Sequence, residues 1–126
     1  MKIAIDIDGV ITRIPEFLAL TSKALMKEGH HITILTSRTN SKESITKSIK
    51  EIKDAQVSFN DYYFLPETNT RSKTEFPSEL NWFQQYIWQK AEYCKNNKID
   101  IFFEDDPRTV ALVLKYAPDT VCLRVC

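Results

Sequence analysis

Short apolar runs and amphipathic runs take turns along the chain. Ile3-Ala4-Ile5-Asp6-Ile7 is branched and apolar apart from one acid, the pattern of a strand buried on both faces. Pro15 suits the start of a helix and Gly29 its end, with Phe17, Leu18 and Leu25, joined by Leu20 and Ala24, supplying an apolar side. Ile32-Thr33-Ile34-Leu35-Thr36 predicts a second strand, which breaks into the polar run Ser37-Arg38-Thr39-Asn40-Ser41. Asn40 and Glu43 have the spacing of a capping box, and Ile45, Ile49 and Ile52 follow at helical spacing among lysines. A third strand falls within Val57 to Leu65, where Val57 and Phe59 alternate ahead of Tyr62-Tyr63-Phe64-Leu65. Residues 66–78 show no periodicity and predict a loop. From Glu79 to Asn97 the positions Leu80, Phe83, Ile87, Ala91 and Cys94 predict one helix or two. Ile99 to Phe103 is a fourth strand, closing in Glu104-Asp105-Asp106-Pro107. Asp106 is placed to cap the helix that Pro107 starts, with Val110, Ala111 and Leu114 inward, and Val121 to Val125 is a last strand.

This alternation predicts an α/β fold class: a doubly wound parallel five-stranded sheet, Rossmann-like, with helices on both faces and one domain over residues 1–126. Ligands of such sheets bind beyond the carboxyl ends of the strands. The polar clusters fall there: Asp6 and Asp8 after the first strand, Thr36 and Ser37 after the second, Asp105 and Asp106 after the fourth. A carboxylate left uncompensated inside a buried strand costs several kcal/mol or stays protonated, so Asp6 is expected at the strand end, facing a cation. Asp8 lies two residues on, which in extended chain points it to the same side, and Gly9 then lets the backbone turn. An Asp-Gly turn is also ordinary turn chemistry. Turn chemistry alone does not account for acids and hydroxyls recurring at strand ends of one type.

Composition narrows the partners. Lys plus Arg and Asp plus Glu number 17 each, so the net charge of zero implies neither a broad nucleic-acid surface nor an acidic tail, and any phosphate recognition is local. Cys94, Cys122 and Cys126 have no CxxC spacing and read as free thiols of a reducing compartment, the cytoplasm by default. Asp6 and Asp8 interrupt the N-terminal apolar run, and no stretch approaches the ~18 apolar residues of a membrane span, so neither export nor a membrane partner is expected.

Four motifs resemble, in order, those of the haloacid dehalogenase superfamily of aspartate-dependent phosphatases: Asp6-x-Asp8-Gly9-Val10, Thr36 in Ile-Leu-Thr-Ser-Arg, Lys90, and Glu104-Asp105-Asp106. The resemblance spans most of the chain. It implies that Asp6 attacks phosphorus and becomes an aspartyl phosphate, while Asp8 protonates the leaving oxygen and later takes a proton from water. Superfamily members that do not transfer phosphate often lack an acid at the second position, so hydrolysis of a phosphomonoester is favoured. The attacking carboxylate and the phosphate repel unless a cation sits between them, and the hard oxygen site implied suits Mg²⁺. Asp6 and Asp105 are the implied ligands, Asp8 gives its backbone carbonyl, and Asp106 adds a water-mediated contact or acts only as the helix cap. Thr36 would bond a phosphate oxygen, with Ser37 beside it, and Lys90 would place its charge on nucleophile and phosphate. The family's lysine usually stands at a helix start, whereas an unbroken helix from Glu79 puts Lys90 in its middle; Lys95 and Lys98 are the other candidates.

Arg38 either reaches the substrate or is an exposed side chain. His30 and His31 beside Gly29 read as a solvent-facing turn. Trp82, Phe83, Tyr86 and Trp88 at helical spacing read as core or as a contact with another copy, with a substrate platform as the functional alternative. From Asp8 to Thr36 there are only 28 residues, enough for one crossover helix and no separate cap domain, so the site should be open. The loop 66–78, with Arg71 and Lys73, is then the expected screen, unless a partner copy of a homo-oligomer supplies one. Ile-Leu-Thr-Ser-Arg and Phe-Glu-Asp-Asp-Pro are similar to strings in small nucleotidase-like members. Two competing readings are a receiver-like signalling domain, which has its acidic pair first and its phosphoacceptor later, and a non-catalytic phosphate-binding member of the same fold.

Overall fold

The branched apolar runs form strands that lie side by side in one parallel sheet. The computed structural model describes residues 1–126. The elements are β1 (Lys2–Ile5), α1 (Pro15–Lys27), β2 (His31–Thr36), α2 (Lys42–Asp54), β3 (Asp61–Phe64), α3 (Trp82–Asn96), β4 (Ile101–Glu104), α4 (Pro107–Tyr116) and β5 (Val121–Arg124). The strand order is β3-β2-β1-β4-β5 with every pair parallel. This is the predicted doubly wound, Rossmann-like α/β architecture. The chain runs outward through β2 and β3, then crosses back to β4, so the order reverses beside β1, where a crevice opens at the strand ends.

Each sheet face has its own apolar layer. Ile3, Ile5, Ile32 and Ile34 pack with Leu18 of α1 and Ile52 of α2, while Ala4, Leu35 and Phe102 pack with Ile87, Ala91 and Cys94 of α3 and Leu112 and Val113 of α4. Alternation along β1 and β4 therefore aims Asp6, two after Ala4, and Glu104, two after Phe102, at α3. Register adds to this, because Ile5 pairs with Phe103 and the next rung brings Asp6 and Glu104 together. No helix is long and apolar enough to cross a membrane. The three cysteines are free, and burial pushes the Cys94 thiol up to about 12 and that of Cys122 up to about 11.

Several local expectations are corrected. The inward side of α1 is Leu18 and Ser22, with Ile14, Leu25 and Met26 partly buried, whereas Phe17, Leu20 and Ala24 are exposed. These three fall off the 14, 18, 22, 25 stripe that meets the sheet. Ser41 caps α2 by accepting the Ser44 N–H, one residue after the predicted Asn40, so the Asn40–Glu43 box does not form. In α4 the inward residues are Thr109, Leu112 and Val113, while Ala111 and Leu114 are exposed and Val110 is half-buried. The first strand ends at Ile5 and the third is only Asp61–Phe64, with Val57 and Phe59 packed ahead of it. The segment 66–78 holds two short 3₁₀ turns, Thr68–Thr70 and Lys73–Glu75, in place of unstructured loop. A single helix, α3, starts at Trp82, capped by a reciprocal box between Asn81 and Gln84.

Ile34 is wholly buried and Leu20 is 74 % exposed. Ile34→Ala should cost about 2–5 kcal/mol of stability and Leu20→Ser less than about 0.5 kcal/mol, read from urea unfolding midpoints.

Candidate active site

The chain leaves β1 at Asp6, one residue past the last hydrogen-bonded rung with β2, and enters an irregular turn over Ile7–Ile11. Asp6 is 4 % exposed. One of its carboxylate oxygens accepts the Ile7 N–H at 2.8 Å and the other lies 3.1 Å from the Lys90 ammonium. Lys90 is the ninth residue of the 15-residue α3, mid-helix, and its side chain is buried between Asp6 and Glu104, whose Oε2 it reaches at 2.7 Å. Burial pushes the Lys90 ammonium down, but the two carboxylates outweigh it and hold its pKa above the ordinary value. A mid-helix lysine thus reaches the strand ends, while Lys95 and Lys98 line a separate cleft beside Pro118.

Glu104, to which the sequence reading assigns no role of its own, is fully buried and does two things. Its Oε2 holds Lys90, and its Oε1 accepts the backbone N–H groups of Asp105 and Asp106 at 3.0 and 3.2 Å. Burial raises its pKa, against the pull of Lys90. Its place one period after Phe102 was the available signal, since a strand alternation that puts Phe102 in the core puts Glu104 on the same side.

Asp105 sits against Gly9. That glycine has φ +76°, and a Cβ there would come within 2.0 Å of the Asp105 carboxylate, so both backbone conformation and space require glycine. Burial, then the neighbouring Glu104, raises the Asp105 pKa. Asp6, Glu104 and Asp105 each offer an oxygen within 4.8 Å of the others. Glu104 is wholly buried and engaged by Lys90 and two N–H groups, whereas Asp6, though bonded to Ile7 and Lys90, and Asp105 line the pocket with carboxylate lone pairs left over, and an all-carboxylate set fits a hard divalent ion. Asp106 also lines this pocket, but its carboxylate is engaged: it caps α4 through the Arg108 N–H at 2.9 Å and is gripped by the Arg108 guanidinium, which lowers its pKa.

Asp8 shares the mouth with Asp6 but is 64 % exposed and is held by Arg38 through two bonds of 2.7 and 2.9 Å. The same guanidinium bonds Glu51 and Ser48 of α2. The Arg38 bonds keep the Asp8 carboxyl below its usual pKa. Arg38 is thus neither a free surface side chain nor an idle substrate arm. Thr36 is buried and its hydroxyl accepts the Arg38 N–H at 3.1 Å; Ser37 lines the pocket, and its carbonyl accepts the Tyr86 hydroxyl at 2.7 Å. The pocket that gathers Asp6, Asp8, Ser37, Lys90, Glu104 and Asp105 has a volume of about 200 Å³.

Arg71, expected at the rim, instead anchors its segment to α3. It makes paired bonds of 2.7 Å to Glu92, another to Gln89, and lies over the rings of Phe76 and Trp88. A guanidinium so engaged is packing, not a substrate contact. His30 bonds the chain's amino terminus and His31 approaches Asp61, both at the opposite end of β2.

No family model matches the chain, and no curated protein matches it in sequence. Nine chains of solved structures match it in fold. One is a chain of the Pnkp1/Rnl/Hen1 complex, with a TM-score of 0.66 at 13 % identity, over 98 % of this chain and 45 % of that one. This chain therefore spans less than half of that protein chain, and at such identity the likeness carries the fold alone.

Lys90→Met should destabilise the protein by about 3–5 kcal/mol, because it leaves two buried carboxylates without their cation. Adding Glu104→Gln, which keeps an acceptor for the two N–H groups and removes one charge, should recover a clear part of that loss in the same urea titration.

Proposed function

We propose that the protein is a Mg²⁺-dependent phosphatase of the haloacid dehalogenase type, acting on a small phosphomonoester. The observation that carries this reading is Asp6 itself: a carboxylate buried at a strand end, with an ammonium at 3.1 Å and a second carboxylate, Asp105, beside it. Buried acids of a purely structural kind are closed off by their partners, whereas Asp6 faces a pocket sized for a phosphate.

In this reading an Asp6 oxygen attacks phosphorus, the bond to the leaving oxygen breaks, and a proton from Asp8 leaves with the alcohol. Water then attacks phosphorus of the aspartyl phosphate, Asp8 takes its proton, the bond between the Asp6 oxygen and phosphorus breaks, and inorganic phosphate is released with Asp6 regenerated. Lys90, 3.1 Å from the Asp6 carboxylate, offsets part of the charge gathering in the pocket. The resting contact with Arg38 keeps Asp8 as a carboxylate, the form that accepts a proton; donating one requires the protonated carboxyl to turn from Arg38 toward the leaving oxygen. Asp6, Asp105 and the Asp8 carbonyl would hold the Mg²⁺, which supplies charge neutralisation between nucleophile and phosphate. Thr36, next to Ser37 at the end of β2, would bond a phosphate oxygen.

A non-catalytic phosphate-binding domain is the second reading, and the closed Arg38–Asp8 pair is the observation that favours it. Turnover separates the two. Phosphate release from a panel of monoesters should require Mg²⁺ and stop on chelation, and Asp6→Asn, folded by circular dichroism, should retain less than about one percent of the rate. Turnover undiminished without metal, or retained in Asp6→Asn, overturns the phosphatase reading. Calorimetric titration with Mg²⁺ should show a greater loss of affinity for Asp105→Ala than for Asp106→Ala; the reverse ranking reassigns the ligand.

A further inference from the structure

The 200 Å³ pocket around Asp6 is smaller than the ~300 Å³ at which small-molecule sites begin, so it takes a phosphate but not the group the phosphate is attached to. That group must lie alongside. A second cleft of about 310 Å³ shares Ile87 with the first as a common wall and runs between the N-terminal half of α3 and the length of α4 from Arg108 to Lys115. Lys90, at the level of Asp6, stands eight residues into α3, so about 12 Å of helix projects past the strand ends at 1.5 Å per residue. Phe83 and Ile87 lie on the Lys90 face of that projection, at helical spacing, and form the wall.

The cleft is built around a flat cation. The Arg108 guanidinium lies 4.7 Å from the centre of the Phe83 ring, and its edge is fixed by two bonds to Asp106, which lines the catalytic pocket. The Arg108 side chain is 66 % exposed, so its outer face is open. Exposed Trp82 stands edge-on to Phe83, with ring centres 6.0 Å apart. Each cation here already has an acid, Asp106 for Arg108 and Glu79 for Lys115, so the cleft offers no spare positive charge to a second phosphate. What it offers is a guanidinium plane for stacking, the arrangement that takes a nucleobase.

We propose that the shelf of Phe83 and Arg108 is the leaving-group subsite and that the leaving group is a nucleoside, its base stacked on Arg108 and its sugar against Ile87. The inference rests on the phosphatase reading for its substrate, but the shelf is testable without turnover. With wild-type protein, kcat/KM for an adenosine monophosphate, assayed as the 5′ and the 3′ ester, should exceed that for glycerol 3-phosphate by about tenfold or more. Phe83→Ala and Arg108→Lys, which keeps the charge and loses the plane, should each remove most of that advantage. Variants that lower both substrates alike, or neither, overturn the subsite, and a preference for benzyl phosphate, an aromatic ester of an unactivated alcohol, over both adenosine esters overturns the nucleoside. If no ester is hydrolysed the phosphatase reading fails, and the shelf is then read by tryptophan fluorescence, with Trp82→Phe giving the contribution of buried Trp88. Quenching by adenosine in wild type that is lost in Arg108→Lys supports the shelf; absence of quenching overturns it.

Discussion

Burying the Lys90 ammonium between Asp6 and Glu104 is the arrangement on which the strand ends depend. Removing three charged groups from water is costly, and it is tolerated only where each finds partners at hydrogen-bond distance. Two carboxylates against one ammonium leave the interior one negative charge in excess. The backbone N–H groups of Ile7, Asp105 and Asp106 take up that excess, so the cluster also dictates how the chain turns after β1 and after β4. A structural ion pair has no need of the pocket that Asp6 faces. The open side of the cluster is what makes it a candidate site.

The sheet order explains why these groups meet. Because β1 lies between β2 and β4, chain segments distant in sequence deliver Asp6, Ser37 and Glu104 to one crevice, and α3, crossing the sheet between β3 and β4, lowers Lys90 onto it. Gly9 marks the tightest point of this assembly, since the Asp105 carboxylate occupies the space its side chain would need. A second layer comes from the other face: Glu51 and Ser48 of α2 aim Arg38 at Asp8. The proposed acid is therefore set by one sheet face and the proposed nucleophile by the other.

Screening of the crevice falls to a helix. The segment 66–78, which lacks any periodicity, folds down on α3 through Arg71, and the Gln89 amide donates to the Pro66 carbonyl at 2.9 Å. The extra turns of α3 ahead of Lys90 stand at the rim in its place, with Tyr86 tied to the Ser37 carbonyl. Helical backbone satisfies its own hydrogen bonds, so such a wall holds its shape without a cap domain.

Periodicity and strand-end acids in the sequence determined the five strands, the four helices, the parallel class and the crevice that would hold Asp6, Asp8 and Asp105, because those features follow from local alternation and from the cost of burying charge. Which apolar residues of α1 and α4 turn inward is only partly legible in the sequence: Leu18 and Leu25 do, but apolar residues such as Leu20 and Leu114 are tolerated in solvent and only contact with the sheet selects the stripe. The partners were beyond its reach as well. That Lys90 would find Glu104, that Arg38 would close on Asp8 and that Arg71 would turn from the rim to Glu92 each depend on distances between elements far apart in the chain. An ion pair is fixed by where two backbones come to rest, and that was decided by the tertiary structure alone.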